Sequence, residues 1–272
     1  MWKAEQLYTG YEQRFAVKKV ICSEQSAFQK IEIIDTPLHG KVLFLDDIVQ
    51  LTAKDEHIYH EMLAHISLSS HAKPKHILVL GGGDGGIVRE VLKHDVESVT
   101  LVEIDARVIE LSKKHLKSLI SNAFVDPRLN VIVTDAAEFV KTTTEKFDVI
   151  ITDRGDEVGP GHPLFTQSFY TNCVQALAKN GLFTSITGVP NMQPKVVENT
   201  RKSFKKLFNH SGIFLINVPM YIGGPLAIAW GSQVTDITKI SPRSLQNRTK
   251  GLSTKYYNSE IHKAAFIASN NL

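Results

Sequence analysis

The spacing of hydrophobic and polar positions changes near residue 55. Before that point apolar residues alternate with polar ones in FAVKKVIC, FQKIEIID and GKVLFLD, and polar or Gly/Pro turns separate these stretches. Alternation of this kind is typical of strands that bury one face. From Asp55 the apolar residues follow a helical period in DEHIYHEMLAHISLSS, and Pro74 ends that helix. The pattern predicts a small antiparallel β domain over residues 1–54 and a second domain over residues 55–272, which includes the C-terminal tail.

Short apolar runs and helical segments alternate through the middle of the chain. The runs HILVL, SVTLVEID, LNVIVTD and FDVIITD begin at residues 76, 98, 129 and 147, and the helical segments IVREVLKH and ARVIELSKKHL separate the first three. This order predicts parallel strands with helices on both faces of the sheet. We therefore expect an α/β fold built on a Rossmann-like, doubly wound and mostly parallel sheet.

One uncharged stretch, residues 211–235, is long enough to cross a bilayer as a helix. Its centre contains Asn217, Pro219, Gly223 and Gly224, which disfavour a continuous helix. We expect two buried strands joined by a turn instead, and no association with a membrane.

Composition narrows the class of protein further. The formal net charge is only +3, so nucleic-acid binding is not expected. Two cysteines, Cys22 and Cys173, are too few for a disulfide framework, and the N-terminus lacks the apolar core of a secretory signal. These features predict a protein of the reducing cytoplasm.

A glycine-rich turn follows the run HILVL directly. Gly81, Gly83 and Gly86 fit the pattern G-x-G-x-x-G between a strand and a helix, which is typical of nucleotide-binding sheets. Asp84 lies inside this turn and would repel the pyrophosphate of NAD or FAD. The turn therefore favours a cationic ligand such as an S-adenosyl sulfonium over a dinucleotide.

Carboxylates follow the next three strands as well. Glu103, Asp135 and Asp153 come at the ends of their runs, so they share with Asp84 the sheet edge where open α/β folds bind ligands. A carboxylate at Glu103 suits the two hydroxyls of a ribose, and one at Asp135 suits an adenine amino group. Any one of these acids could instead cap a turn, but four in register favour a binding site.

The loop DRGDEVGP after the fourth run is strongly acidic. Asp153, Asp156 and Glu157 place three carboxylates within five positions, which indicates a cationic substrate. An alkylammonium with a pKa of about 10 must lose a proton before it can attack carbon. Asp153 is placed to accept that proton and Asp156 to hold a second ammonium. An acidic surface loop is the alternative interpretation.

Several motifs together resemble the spermidine synthase family, the polyamine aminopropyltransferases, which share their fold with class I methyltransferases. The motifs are IYHEML, ILVLGGGDGGIVREVLKH, VTLVEID, FDVIITD with the following D-x-x-D-x-x-GP, and YYN-x-x-IH-x-AAF, and they cover nearly the whole chain. The resemblance implies transfer of an aminopropyl group from decarboxylated S-adenosylmethionine to putrescine, which gives spermidine and 5′-methylthioadenosine. It also implies no metal, no cofactor beyond that co-substrate, and a homodimer or homotetramer.

The resemblance also implies roles for individual residues. On the donor side these are Gln29, Gly81, Gly83, Asp84, Glu103, Asp135, Ala136 and Pro160. Among them Gln29 and Glu103 would hold the ribose, Asp135 and Ala136 the adenine, and Pro160 would line the adenine pocket. On the acceptor side they are Tyr59, His60, Asp84, Asp153, Asp156 and Tyr221, with Gln50 as a further candidate. Asp84 and His60 would bind the amine end, and Asp153 would accept the proton.

The sequence departs from the family pattern mainly on the acceptor side. Arg154 and Gly155 stand between the two aspartates, Glu157 replaces a proline, and Ile186 stands where relatives commonly carry a glutamine. We expect Arg154 to pair with Glu157, which would keep its charge away from the amine. The departures leave agmatine, cadaverine or spermidine open as acceptors.

Two further functions remain open at this point. A methyltransferase on the same sheet would have to bind the donor carboxylate near Asp84, which is unfavourable. A non-catalytic polyamine-binding or nucleotide-binding homologue would keep the pocket without turnover. Formation of methylthioadenosine distinguishes aminopropyl transfer from both.

Overall fold

The computed structural model describes residues 1–157 and 159–267, apart from the side chain of Pro160. The N-terminal part consists of strands β1 (Trp2–Tyr8), β2 (Tyr11–Ala16), β3 (Lys19–Gln25), β4 (Lys30–Thr36), β5 (Gly40–Leu45) and β6 (Ile48–Thr52). Strands β1 and β2 form an antiparallel hairpin, and β3 to β6 form a four-stranded antiparallel sheet in chain order.

The remaining elements build a larger sheet and its helices. The strands are β7 (His76–Gly81), β8 (Ser98–Glu103), β9 (Leu129–Val133), β10 (Phe147–Asp153), β11 (Leu177–Gly188), β12 (His210–Ile216) and β13 (Leu226–Ser232). The α-helices are α1 (Glu56–Ser70), α2 (Gly86–Val91), α3 (Ala106–His115), α4 (Lys117–Ile120), α5 (Ala136–Thr142), α6 (Gln167–Ala176), α7 (Pro194–Leu207), α8 (Pro242–Thr249) and α9 (Ser259–Ala264). A 3-10 turn covers Gly159–Phe165.

The larger sheet has seven strands in the order β12-β13-β11-β10-β7-β8-β9. The five strands from β11 to β9 run parallel, whereas β13 pairs antiparallel with both β11 and β12. Consecutive residues of β7 point to opposite faces: Ile77 joins a core with α1 and α2, and Leu78 joins a core with α5, α6 and α7. The expected mostly parallel sheet with helices on both faces is therefore confirmed.

The smaller sheet is buried on two sides because its residues also alternate. Ile31 and Ile33 of β4 pack with Val108 and Leu111 of α3. Ile34 joins the core that contains α1. This packing seats the N-terminal sheet on the helices of the larger domain.

The hairpin of β1 and β2 was not expected, since the alternating pattern begins only at residue 14. Within the hairpin only Glu5 and Phe15 are buried, so its sequence carries almost no apolar alternation. The uncharged stretch 211–235 forms β12 and β13, as expected. In the part of the chain that the structure describes, no helix has the length and apolar character to cross a membrane.

Helix α1 is buried on nearly all sides, and its polar residues have specific partners. Glu61 accepts hydrogen bonds from the backbone N–H groups of Lys255, Tyr256 and Tyr257 at 2.8 to 2.9 Å. The YYN segment of the C-terminal tail is therefore fixed to α1. The N-terminal half of α1, which also carries Tyr59 and His60, lies at the carboxyl-terminal edge of the parallel strands, where the candidate site is.

Candidate active site

Two cavities meet at the carboxyl-terminal edge of β7, β8 and β10. The larger has a volume of about 400 Å³ and the smaller about 90 Å³. Asp84, Asp153 and Asp156 line both cavities, so an acidic junction joins them. This position is the switch point of the sheet, because the chain continues from β7 first to β8 on one side and later to β10 on the other.

The glycine turn allows the backbone to pass close to neighbouring groups. Gly81 has a φ of +80°, and a Cβ there would lie 2.0 Å from the carbonyl oxygen of Asp153. A Cβ on Gly86 would lie 2.2 Å from the imidazole of His60. Glycine is therefore required at both positions to bring β10 and α1 against the turn.

The larger cavity contains most of the residues expected on the donor side. Its lining includes Gln29, Gly81, Gly83, Asp84, Glu103, Asp135 and Ala136. The side chain of Pro160 lies outside the described part of the chain. The structure therefore brings the described donor-side candidates together in one cavity.

Glu103 and Asp135 each anchor a backbone turn at this cavity. The two oxygens of Glu103 accept hydrogen bonds from the N–H groups of Gly83 at 3.0 Å and Asp105 at 2.9 Å. Burial nevertheless raises the pKa of Glu103 to about 7. Asp135 caps the start of α5, because its Oδ1 accepts a hydrogen bond from Ala137 N at 2.7 Å.

Asp153 ends β10 and has two unlike carboxylate oxygens. Its Oδ1 accepts a hydrogen bond from the hydroxyl of Tyr59. Its Oδ2 is buried and has no partner among the described residues. Burial and the nearby carboxylate of Asp84 raise the pKa of Asp153 to about 7. A buried acceptor that lacks a donor is unstable by about 1–3 kcal/mol, so this oxygen is suited to meet a ligand N–H group.

His60 lies against the same carboxylates. His60, Asp84 and Asp153 each present a nitrogen or oxygen within 4.8 Å of the other two. The His60 Nε2 is 3.4 Å from Asp84 Oδ1. Burial lowers the pKa of His60, but Asp84 and Glu56 outweigh burial and raise it above its ordinary value.

The smaller cavity contains the residues expected on the acceptor side. Tyr59, His60, Asp84, Asp153, Asp156 and Tyr221 all line it, and Gln50 lines both cavities. The rings of Tyr59 and Tyr221 meet edge to face with centroids 6.1 Å apart. The Tyr221 hydroxyl donates to the carbonyl oxygen of Gln50 at 2.7 Å, which fixes this aromatic wall.

Three residues that sequence reasoning missed complete the smaller cavity. Gln193 donates from Nε2 to Asp156 Oδ1 at 2.7 Å, and Tyr8 and Glu5 of β1 lie beside them. Burial raises the pKa of Asp156. Gln193 belongs to no recognisable sequence motif, and β1 lacks the apolar alternation that identifies a strand. The polar character of these three residues was therefore the only available signal.

The expected pair of Arg154 and Glu157 is wrong. Arg154 is buried and donates to the carbonyl oxygens of Ile186 and Leu164 and to the Tyr170 hydroxyl, whereas Glu157 is exposed. The carbonyls satisfy the guanidinium in a pocket that the Glu157 carboxylate does not enter. Arg154 still lines both cavities, but its guanidinium nitrogens donate to these buried oxygens and not to a carboxylate at the cavity junction.

A Rossmann-like sheet with two acidic cavities at its switch point defines a binding site for cationic small molecules. A family model described as spermine/spermidine synthase domain matches residues 56–240, and one described as spermidine synthase tetramerisation domain matches residues 1–53. The chain therefore belongs to the spermidine synthase family and is a polyamine aminopropyltransferase.

Individual relatives agree with this assignment. The polyamine aminopropyltransferase of Ruegeria sp. (strain TM1040) is 44% identical over 98% of this chain and 95% of its own length. That of Pseudomonas syringae pv. tomato is 42% identical over 96% and 93%. These relatives indicate aminopropyl transfer rather than methyl transfer as the type of reaction.

Solved structures show the same fold. A spermidine synthase in complex with the transition-state analogue AdoDATO superimposes with a TM-score of 0.94 and 37% identity, covering all of this chain and 93% of that one. The spermidine synthase from Thermotoga maritima gives a TM-score of 0.91 with 36% identity and covers 100% and 92%.

Proposed function

We propose that the protein transfers the aminopropyl group of decarboxylated S-adenosylmethionine to putrescine and releases spermidine and 5′-methylthioadenosine. The observation that carries the proposal is the unpartnered, buried Oδ2 of Asp153 at the junction of the two cavities. A primary amine that attacks from the smaller cavity would give its proton to this oxygen.

The larger cavity is the donor site in this proposal. Glu103 and Gln29 bind the ribose hydroxyls, Asp135 and Ala136 bind the adenine with Pro160 beside it, and the turn at Gly81 and Gly83 lies under the sugar. The Glu103 oxygens each accept one backbone N–H and retain a lone pair for a hydroxyl. Asp84 faces the positive sulfur and favours a cation over a pyrophosphate.

The smaller cavity is the amine site. Asp156, oriented by Gln193, binds the distant ammonium, and Tyr59 and Tyr221 enclose the methylene chain. A cavity of about 90 Å³ that opens into the larger one accommodates a short linear diamine. Ile186, which is buried, contributes an apolar wall that suits methylene groups rather than the guanidinium of agmatine.

The reaction is a direct displacement. The amine lone pair forms a bond to the methylene carbon next to the sulfonium, the carbon–sulfur bond breaks, and its electron pair returns to sulfur as a neutral thioether. The proton of the attacking nitrogen passes to Asp153. The sulfonium is a sufficient leaving group, so the protein's own part is to align the two substrates, exclude water and accept one proton.

The experiment offers the purified protein decarboxylated or ordinary S-adenosylmethionine with putrescine, cadaverine, agmatine or spermidine, and identifies products by mass. We expect methylthioadenosine and spermidine only from the decarboxylated donor, with putrescine the fastest amine. Asp153→Asn should lose nearly all turnover while donor binding persists. If another amine reacts faster than putrescine, that amine is the acceptor. If no combination of donor and amine gives a product, the protein binds these ligands without catalysis.

We further propose a homodimer or homotetramer assembled through residues 1–53, because the matching family model describes this segment as a tetramerisation domain. Sedimentation velocity at several concentrations tests this. A monomer at micromolar concentration would contradict it. The cytoplasmic location remains a prediction from the sequence.

A further inference from the structure

Glu56, the first residue of α1, is a buried carboxylate that touches neither proposed substrate cavity. One helical turn later, His60 presents its Nδ1 at 2.5 Å from Glu56 Oε2. Both side chains are 2% exposed. The other ring nitrogen of His60 faces Asp84. The imidazole is thus held between two carboxylates, one on its own helix and one in the glycine turn.

Arg89 of α2 fixes the position of Glu56. Its Nη2 is 2.8 Å from Glu56 Oε2 and its Nη1 is 3.2 Å from Glu56 Oε1, a two-point contact. Its Nε donates to Glu90 at 2.7 Å, and its Nη1 also donates to the carbonyl oxygen of Leu119. A guanidinium held at four points leaves Glu56 little freedom to turn away from His60.

Glu56 remains ionised in this setting. Burial raises its pKa, but the hydrogen bonds from His60 and Arg89 outweigh burial and bring it to about 2. The imidazole itself cannot shift far, because Gly86 packs directly against the ring and would clash with it if it carried a Cβ.

The charged and titratable groups around His60 come from four elements. Glu56 and Tyr59 lie on α1, Asp84 follows β7, Arg89 lies on α2 and Asp153 ends β10. Arg89 opposes a positive charge on the imidazole, whereas the carboxylates favour it. A positive His60 lowers the pKa of Asp153, against the upward effects of burial and Asp84.

We propose that Glu56 is a positioning residue for aminopropyl transfer: locked by Arg89, it favours the protonated form of the His60 imidazole and directs the ring at Asp84, so that the imidazolium charge favours the ionised form of Asp153 that accepts the amine proton. This role rests on the proposed function, since it needs Asp153 to be the proton acceptor. Glu56 acts only through His60 and touches no substrate.

The test begins without catalysis. His60 is observed by NMR through its imidazole carbon in substrate-free protein, in wild type and in Glu56→Gln. We expect the titration of His60 to move to lower pH by roughly one unit or more when the carboxylate is lost. An unchanged titration overturns the proposal, whatever the protein catalyses, and so separates it from a failure of the proposed function.

The second measurement is the pH profile of kcat with both substrates saturating. In Glu56→Gln the acidic limb should move to higher pH by about one unit, with about a fivefold loss at pH 7 that is recovered in alkali. The Kd of the donor should not change. A loss of equal size at every pH would show a merely structural role and overturn the proposal.

Glu90→Gln is the matched control. Glu90 is as buried as Glu56 and contacts the same arginine, but it binds His65 rather than His60. Its pH profile should coincide with that of the wild type. Glu56→Asp retains the charge and should restore part of the shift, and His60→Gln combined with Glu56→Gln should be no worse than His60→Gln alone. A further loss in the double variant would contradict action through His60.

Discussion

Arg154 stacks over Phe165, with the guanidinium carbon 3.4 Å from the centroid of the ring. The same guanidinium donates to the carbonyl oxygens of Leu164, at the end of the 3-10 turn, and Ile186, in β11. Phe165 and Ile186 both line the smaller cavity. Among the described residues no carboxylate pairs with this buried cation, and it helps to form the wall of the proposed amine site.

Replacing Arg154 should weaken amine binding selectively. Arg154→Met leaves two buried carbonyls without a donor, each unfavourable by about 1–3 kcal/mol, so the wall at Phe165 should relax. We expect the KM for putrescine to rise about tenfold, or about 1.4 kcal/mol, with an unchanged donor Kd. Glu157→Ala, which removes an exposed carboxylate, serves as the control and should match the wild type. An equal rise in donor Kd would refute this account.

Binding of putrescine should depend on the ionisation of Asp153. The pKa of Asp153 is about 7, so its carboxylate becomes negative as the pH rises from 6 to 8, while putrescine remains a dication. Calorimetric titration of putrescine into the complex with methylthioadenosine should show about tenfold tighter binding over this range. In Asp153→Asn the dependence should be lost. The same slope in that variant would assign the effect to another group.

Asp153 should also lower the stability of the folded protein in alkali. Its pKa is about 4 in an unfolded chain and about 7 when folded, so between these values the unfolded state binds fewer protons. Stability from this group is therefore lost as the pH rises from 4 to 7. At pH 8 the Asp153→Asn variant should be more stable than the wild type by a few kcal/mol, which raises its Tm by several degrees. At pH 4 the two proteins should have the same Tm.

Calorimetry at both pH values makes this comparison. Glu157→Gln, a change at an exposed carboxylate, should show no difference at either pH. A Tm of Asp153→Asn below that of the wild type at pH 8 would mean that the charge stabilises the fold.

Asp156 should recognise the second ammonium of the substrate. In Asp156→Asn the KM for putrescine should rise by about tenfold or more, because a charge-assisted contact becomes a neutral one. Butylamine lacks that ammonium, so its slower turnover should be unaffected by the substitution. The ratio of kcat/KM values for the two amines is the measurement. A parallel loss for both amines would place Asp156 elsewhere in the reaction.

The sheet and its acidic edge were predictable because both depend on local signals. Short apolar runs define the strands, and a residue that follows a parallel strand necessarily lies at the shared edge, which places Glu103, Asp135 and Asp153 together. The hairpin at Trp2–Ala16 was not predictable, since it buries almost no apolar side chain.

The details of the amine site depend on contacts between distant parts of the chain. Gln193 reaches Asp156 across 37 positions, and Tyr8 approaches Gln193 across 185. Arg154 had a nearby carboxylate three positions on, yet it binds carbonyls 10 and 32 residues away. Sequence spacing favours local partners, whereas burial of the guanidinium selects acceptors that only the folded chain brings together.

Strands β1, β5 and β6 contribute walls to the two cavities, whereas the acids proposed to act on the substrates follow strands of the parallel sheet. Substitutions in the first fifty or so positions can therefore change the shape of the cavities without altering the acids that follow the parallel strands. The N-terminal β domain can thus vary in sequence and change the shape of the cavities, while the parallel sheet keeps the acidic residues in place.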